Sequence, residues 1–168
     1  MKKLFYLLFA CSFIFLSCEE EDDPFSPTSS FRCKIDGEQL SDSAPNANII
    51  TTNPALNGAL EISASSNLIS ASPNLKNGDV MNTVYLTIYN FSSVSENTSL
   101  SLGSSGSGQV WQGADIYATA VPNFTGTIQF SKITANKVSG TFNFEALNTD
   151  NSATQVVVTE GTFTDISY

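Results

Sequence analysis

The feature that most constrains this chain is a repeated alternation of apolar and polar residues, in short runs, between residues 31 and 168. Val84, Leu86 and Ile88, for example, recur at a period of two, which places successive side chains on opposite faces of a β-strand. Gly, Asn, Asp and Pro separate the runs, and no run has the periodicity of a helix. The pattern predicts a single all-β domain of about nine or ten short strands, arranged as an antiparallel β-sandwich or a partly open barrel.

Turn signals divide this region into individual strands. Asp36-Gly37 has the residue types of a type I′ turn and predicts a hairpin between the first two strands. Bulky side chains on both faces of residues 83–91 predict a central strand that is covered on both sides. Residues 103–108 are Gly and Ser only, and we expect a flexible loop with nothing to bury. The predicted strands are 31–35, 38–40, 49–52, 59–64, 83–91, 100–102 (an edge strand), 115–121, 127–133, 137–146 and 155–163.

The first residues of the chain have the organisation of an export signal. Two lysines precede the apolar run 4–16, whose 13 residues fall short of the ~20 that a membrane-spanning helix needs but suit a secretory signal. The run ends in Phe-Leu-Ser-Cys18, which resembles the lipobox of bacterial lipoprotein precursors. The resemblance implies that residues 1–17 are a lipoprotein signal peptide and that Cys18 carries the lipid that anchors the mature chain to a membrane.

An acidic cluster follows this cysteine directly, made up of Glu19, Glu20, Glu21, Asp22 and Asp23. Together with the Pro, Ser and Thr residues behind it, the cluster predicts a soluble tether over residues 18–30. It also resembles the acidic segment of Bacteroidota lipoproteins that are exported to the outer face of the outer membrane. That resemblance implies an exposed position on the cell surface, with the periplasmic face of the membrane as the alternative.

The end of the chain resembles the closing strands of small Bacteroidota lipoproteins of unknown function. Residues 137–146 read Lys-Val-Ser-Gly-Thr-Phe-Asn-Phe-Glu-Ala, and residues 158–163 read Val-Thr-Glu-Gly-Thr-Phe. With the lipobox and the opening hairpin, the resemblance covers both ends of the chain, whereas residues 41–122 match only in β character. It implies an exported, lipid-anchored, all-β protein, and it implies no activity.

Composition narrows the function classes. The 168 residues include no histidine, which excludes Ser-His and Cys-His nucleophile pairs and the commonest zinc ligand. A net charge of −9 argues against a nucleic-acid partner, because phosphate binding depends on clustered Lys and Arg. After removal of the signal peptide and lipidation of Cys18, Cys33 is the one free thiol. Its alternation with Phe31 and Ile35 predicts a small, buried, apolar side chain.

Two groups of polar residues could form a catalytic or a metal site, and each group also has a simpler structural explanation. Glu145 and Glu160 lie on consecutive predicted strands, where they could form the carboxylate pair of a glycoside hydrolase. The alternation of Glu145 with Phe144 instead predicts a solvated side chain. Residues 148–151, Asn-Thr-Asp-Asn, offer oxygen ligands for calcium, but their composition is typical of a turn. We expect no catalytic residue, no metal and no cofactor.

Trp111 is the single tryptophan of the chain and the basis of a ligand-binding hypothesis. With Gln109, Gln112 and Asp115 nearby, it resembles the exposed aromatic and amide groups on which exported β-domains bind glycans. The favoured interpretation is a tryptophan that completes the core. A second weak candidate is Ser43, because Asp-Ser-Ala at 42–44 resembles an acceptor for O-glycosylation in exported Bacteroidota proteins.

Taken together, the sequence predicts a monomeric, lipid-anchored protein of the cell envelope that acts as a structural or binding module without enzymatic activity. Its partner outside the cell would be a glycan or a protein. Glycan binding through Trp111 and a lipocalin-like carrier with an interior cavity are the alternatives, and a carboxylate-based hydrolase is a more distant one.

Overall fold

The computed structural model describes residues 29–51, 53, 55–67, 81–119, 125–151 and 153–168. The predicted signal peptide, Cys18 and the acidic cluster at 19–23 lie outside these residues. The described elements are β1 (Ser30–Ile35), β2 (Glu38–Asp42), β3 (Asn46–Ile50), β4 (Ala59–Asn67), β5 (Met81–Ile88), a 3-10 turn (Phe91–Ser93), β6 (Ser99–Leu102), β7 (Gly106–Gln112), β8 (Asp115–Ala118), β9 (Gly126–Ile133), β10 (Lys137–Asn148) and β11 (Gln155–Ser167). The all-β prediction is confirmed.

The strands form one hydrogen-bonded system that closes on itself. β6, β9, β10, β8 and β7 pair in a ring, in which β6 and β7 run parallel and every other pair is antiparallel. β11, β1 and β2 extend from β10, whereas β5, β4 and β3 extend from β7. These two arms meet where the Ser65 N–H donates to the Asp42 carboxylate at 2.9 Å. The architecture is therefore a closed five-strand barrel with outer strands.

The opening hairpin forms as the sequence predicts. Asp36 and Gly37 both have positive φ, at 49° and 89°, as a type I′ turn requires. The Asp36 carboxylate also accepts a 2.8 Å hydrogen bond from the Val157 N–H, which ties the turn to β11. β5 lies between β4 and β7, which confirms its predicted central position. Its outer face is not fully covered, because Tyr85, and Tyr89 directly after the strand, are only half-buried.

The core contains most of the apolar side chains of the described residues, and Phe is its most frequent residue type. Cys33 is 1% exposed, which confirms its predicted position, and burial raises the pKa of its thiol to about 12. The largest fully buried side chains are Phe31, Phe130, Phe144, Phe163, Ile35, Leu40, Leu60, Ile62, Leu86, Ile88, Leu102 and Ile128. No helix among the described residues has the length and apolar character that a membrane crossing needs.

The prediction of a flexible loop at residues 103–108 is wrong. Only 103–105 form a turn, and β7 begins at Gly106, with Gly106, Ser107 and Gly108 all buried. A Cβ atom at Gly106 would lie 2.3 Å from the Thr87 carbonyl oxygen, so glycine serves close strand packing here. Gly106 of β7 also pairs with Leu102 of β6, and β6 pairs with β9 on its other side. β6 is therefore not an edge strand.

The two ends of the domain are the end at which Ser29 lies and the end at which the β7–β8 hairpin lies. The chain enters at Ser29, whose hydroxyl donates to the Asp165 carbonyl at 3.0 Å, near the start of β10. The other end of β10 pairs Asn148 with Tyr117 of β8, beside the hairpin that joins β7 to β8. Along β10 the two ends are about 30 Å apart at ~3.3 Å per residue. We call the end beside the β7–β8 hairpin the distal end.

Candidate functional site

Trp111 lies on the outside of the domain at the distal end, and it does not complete the core. On β7 it alternates with the buried Val110 and Gln112, so its side chain projects from the opposite face. It pairs with Thr83 of β5 and Ile116 of β8, and the residue is 40% exposed. The favoured core interpretation is therefore wrong, and the exposed alternative describes its position.

Two neighbours hold the indole ring in place. The Tyr85 ring packs against it, with the two centroids 5.2 Å apart and the planes at 53°. The indole Nε1–H donates to Gln109 Oε1 at 3.1 Å. Gln109 is also the β7 residue that pairs directly with Tyr85. The three side chains therefore form one unit on adjacent strands, in which an exposed aromatic surface has a fixed orientation.

The other described residues around this unit are mostly uncharged. Thr83 of β5 pairs with Trp111 of β7 and is buried. Its hydroxyl is 2.9 Å from that of Ser65 on β4. Met81 projects from the same face of β5 and is 59% exposed. We call the outward side chains of Met81, Thr83, Tyr85, Gln109 and Trp111 the Trp111 face. Among the outward-facing described residues of β4, β5, β7 and β8, only Glu61 carries a charge.

Gln112 and Asp115, which the sequence suggested as ligand contacts beside Trp111, lie on the other face. They pair with each other across the β7–β8 hairpin, and Gln112 is only 4% exposed. Its Nε2 is buried and has no hydrogen-bond partner among the described residues. The reason for this difference is that neighbours in a strand point in opposite directions, and none of residues 103–112 was predicted to be strand. Tyr85 was missed, although its alternation with Val84 and Leu86 is the signal that would have found it.

The remaining predicted sites are separated or serve local structure. Glu145 pairs with Val157, whereas the Glu160 carboxylate is 2.7 Å from Lys34 Nζ on β1, so the two carboxylates do not form a facing pair. Asn148 Oδ1 accepts hydrogen bonds from the N–H groups of Asp150 and Asn151 at 2.9 and 2.8 Å, which is the predicted turn. Within the described ranges, no group of three or more Cys, Asp or Glu side chains is arranged to hold a metal ion.

Ser43 is exposed in the bend after β2. Its neighbour Asp42 organises this bend, because the carboxylate accepts from the Ala44 N–H at 2.8 Å as well as from β4. The hydroxyl of Ser43 is therefore presented on a well-defined bend, and its glycosylation stays a prediction.

Searches against protein-family models, the curated proteins and the solved structures found no match to this chain. The physical chemistry of the Trp111 face is therefore the basis on which a function is inferred.

Proposed function

We propose that this protein is a lipid-anchored binding module of the cell envelope, and that the Trp111 face binds carbohydrate. The observation that carries the proposal is the exposed indole of Trp111, held by Tyr85 and Gln109 on a strand surface of hydroxyl and amide groups. The exposed 40% of Trp111 gains no hydrophobic stabilisation from the fold. Binding is a reason for that exposure.

Carbohydrate is the ligand class that suits this mixture of groups. One side of a sugar ring presents C–H groups, and these are attracted to the electron-rich face of an aromatic ring. The sugar hydroxyls require hydrogen-bond partners when they leave water. The Gln109 amide lies beside the indole, and while its Oε1 accepts from the indole N–H, its NH₂ group is a donor.

The anchoring part of the proposal depends on the lipobox resemblance at Cys18 and on the acidic residues 19–23. From Cys18 to Ser29 the chain reaches at most about 40 Å. Because Ser29 lies at the end of the domain opposite Trp111, a lipid at Cys18 leaves the Trp111 face at the far end from the anchor. This arrangement supports a ligand outside the membrane.

Two alternatives receive less support. A lipocalin-like carrier needs an open interior, but the Phe144 ring fills the space beside Gly108 within the five-strand barrel. A carboxylate-based hydrolase needs two facing acids, and the Glu160 carboxylate is instead paired with Lys34.

Affinity electrophoresis of the full-length protein in detergent, through gels that contain neutral polysaccharides (cellulose derivatives, xylan or mannan), tests the proposal. We expect retardation by at least one polysaccharide, and a loss of about tenfold in affinity for Trp111→Ala, equal to ~1.4 kcal/mol. Gln109→Ala should weaken binding less. The control is Gln129→Ala, since Gln129 is an outward-facing glutamine on β9; it is exposed, whereas Gln109 is half-buried. Equal mobility of wild type and Trp111→Ala in every gel would contradict carbohydrate binding at this face.

A further inference from the structure

The outward row of side chains that includes Trp111 and Tyr85 continues away from the distal end. The β5–β7 pairing runs from Asn82 with Gln112 to Ile88 with Gly106. It is extended one step further by the Tyr89 N–H, which donates to the Ser105 carbonyl at 3.0 Å. Because side chains alternate, Tyr89 projects from the same face as Tyr85. Two tyrosines and the tryptophan therefore follow one line along β5 and β7.

A groove lies at the end of this line that is farther from Trp111. Tyr89 lines it together with Asn90, Ser93, Val94 and Ser105, among others, and its volume is about 320 Å³. That volume is within the ~300–1,000 Å³ of typical small-molecule sites. Its lining combines an aromatic ring and apolar side chains with hydroxyl and amide groups, which is the same chemistry as at the Trp111 face. From Thr83, which pairs with Trp111, to Tyr89 the strand extends about 20 Å.

Charge is sparse along this path, where the half-buried Glu61 of β4 pairs with Thr87 of β5. The described residues that line the groove include no Lys, Arg, Asp or Glu. Nearby, the Glu96 carboxylate accepts a 2.6 Å hydrogen bond from the Ile133 N–H of β9 and so is engaged outside the groove. The whole chain has 16 acidic and 7 basic residues, so an anionic glycan would be repelled at long range. A neutral ligand meets no such penalty.

From these observations we infer that the Tyr89 groove is a second subsite of the Trp111 face, and that the ligand is an extended, neutral oligosaccharide lying along β5 and β7. The inference rests on the proposed function, because it assigns the length and charge of the carbohydrate that the Trp111 face binds. One sugar stacks on Trp111, another enters the groove beside Tyr89, and the units between them contact Tyr85 and Gln109. A chain that spans both subsites gains affinity because the second contact is intramolecular.

Isothermal titration of the full-length protein in detergent with gluco-, xylo- and manno-oligosaccharides, from disaccharide to hexasaccharide, tests the inference. We expect at least one hexasaccharide to bind about tenfold more tightly than its disaccharide. Tyr89→Ala should abolish this gain without changing disaccharide affinity, and Tyr89→Phe should keep it. Ser104→Glu adds length and charge at the exposed rim of the groove. This substitution should abolish the gain in affinity of the hexasaccharide while Tyr89 is intact.

The results separate the inference from the function on which it rests. If the hexasaccharide binds in a Trp111-dependent way, but Tyr89→Ala and Ser104→Glu keep its advantage over the disaccharide, the second subsite is wrong and the proposed function stands. If no oligosaccharide binds, or if Trp111→Ala binds like wild type, both are wrong. Unfolding curves that match wild type exclude misfolding as the cause of a loss.

Discussion

The ring of Phe144 on β10 lies directly against Gly108 on β7, a strand with which β10 does not pair. A Cβ atom at residue 108 would be 2.8 to 2.9 Å from three carbons of that ring, closer than real side chains approach. Gly108 therefore leaves the space that Phe144 occupies inside the five-strand barrel. This contact joins two sides of the barrel, and it explains why a stretch of Gly and Ser lies in a buried strand.

Gly108→Ala should destabilise the protein. The added methyl group has to displace the Phe144 ring in a packed interior, and overpacking of this kind costs about 1–3 kcal/mol. Urea denaturation followed by circular dichroism measures the change in the free energy of unfolding. In a Phe144→Leu background the same substitution should cost about 1 kcal/mol less, because the ring that it displaces is gone. Equal costs in both backgrounds would contradict the contact.

Trp111 should be accessible to solvent in the native protein. It is the single tryptophan, so its fluorescence reports on this position alone. We expect acrylamide to quench native emission substantially, and a bound polysaccharide to protect against quenching. Gln109→Ala removes the acceptor at 3.1 Å from the indole N–H and should shift the emission. Native quenching as weak as that of a buried indole would contradict the exposed position.

Cys33 should make stability depend on pH in the alkaline range. Burial raises the pKa of its thiol from 9.0 to about 12, so between these values the unfolded chain releases the proton and the folded protein keeps it. The unfolded state then binds fewer protons, and stability falls as pH rises. Between about pH 8.5 and 10.5, wild type should lose ~1–2 kcal/mol relative to Cys33→Ala.

The comparison with Cys33→Ala isolates the effect of the thiol, because the two proteins differ at residue 33 alone. Urea denaturation at each pH gives the two free energies of unfolding. A difference that stays constant across the range would show that the thiol is not shielded from solvent in the folded state.

Cys18→Ala should prevent lipid attachment. Wild-type cells fed a clickable palmitate analogue should contain a labelled protein in the membrane fraction, and the variant should be unlabelled. Cys33→Ala is the matched control, because it removes a cysteine that is buried in the fold, and its labelling should equal that of wild type. Labelling of Cys18→Ala at the wild-type level would contradict the lipobox interpretation.

The acidic cluster should direct the domain to the cell surface. Protease added to intact cells should degrade the wild-type domain, whereas replacement of Glu19 to Asp23 by alanine should protect it. Equal sensitivity of the two proteins would identify the cluster as a plain tether. Protection of the wild type would place the domain on the periplasmic face.

The sequence alone determined the features that depend on residues adjacent to one another along the chain. The alternation of Phe31, Cys33 and Ile35 fixed which side chains of β1 are buried, because the period of a strand is a local property. Asp36-Gly37 fixed the first turn, since only a few residue types accept two successive positive φ values. The strands β9, β10 and β11 were recognised in the same way.

Tertiary structure decided the features that depend on which strands meet. Glycine and serine at 103–108 are typical of a loop in isolation, and only the closeness of the Thr87 carbonyl and of the Phe144 ring requires glycine in a strand there. Closure of the barrel depends on the parallel pairing of β6 with β7 and on β8 joining β7 to β10. The alternation of apolar and polar residues in these strands would suit other neighbouring strands equally well, so it does not specify which strands pair. For the same reason, only the fold brought Tyr85 of β5 beside Trp111 of β7.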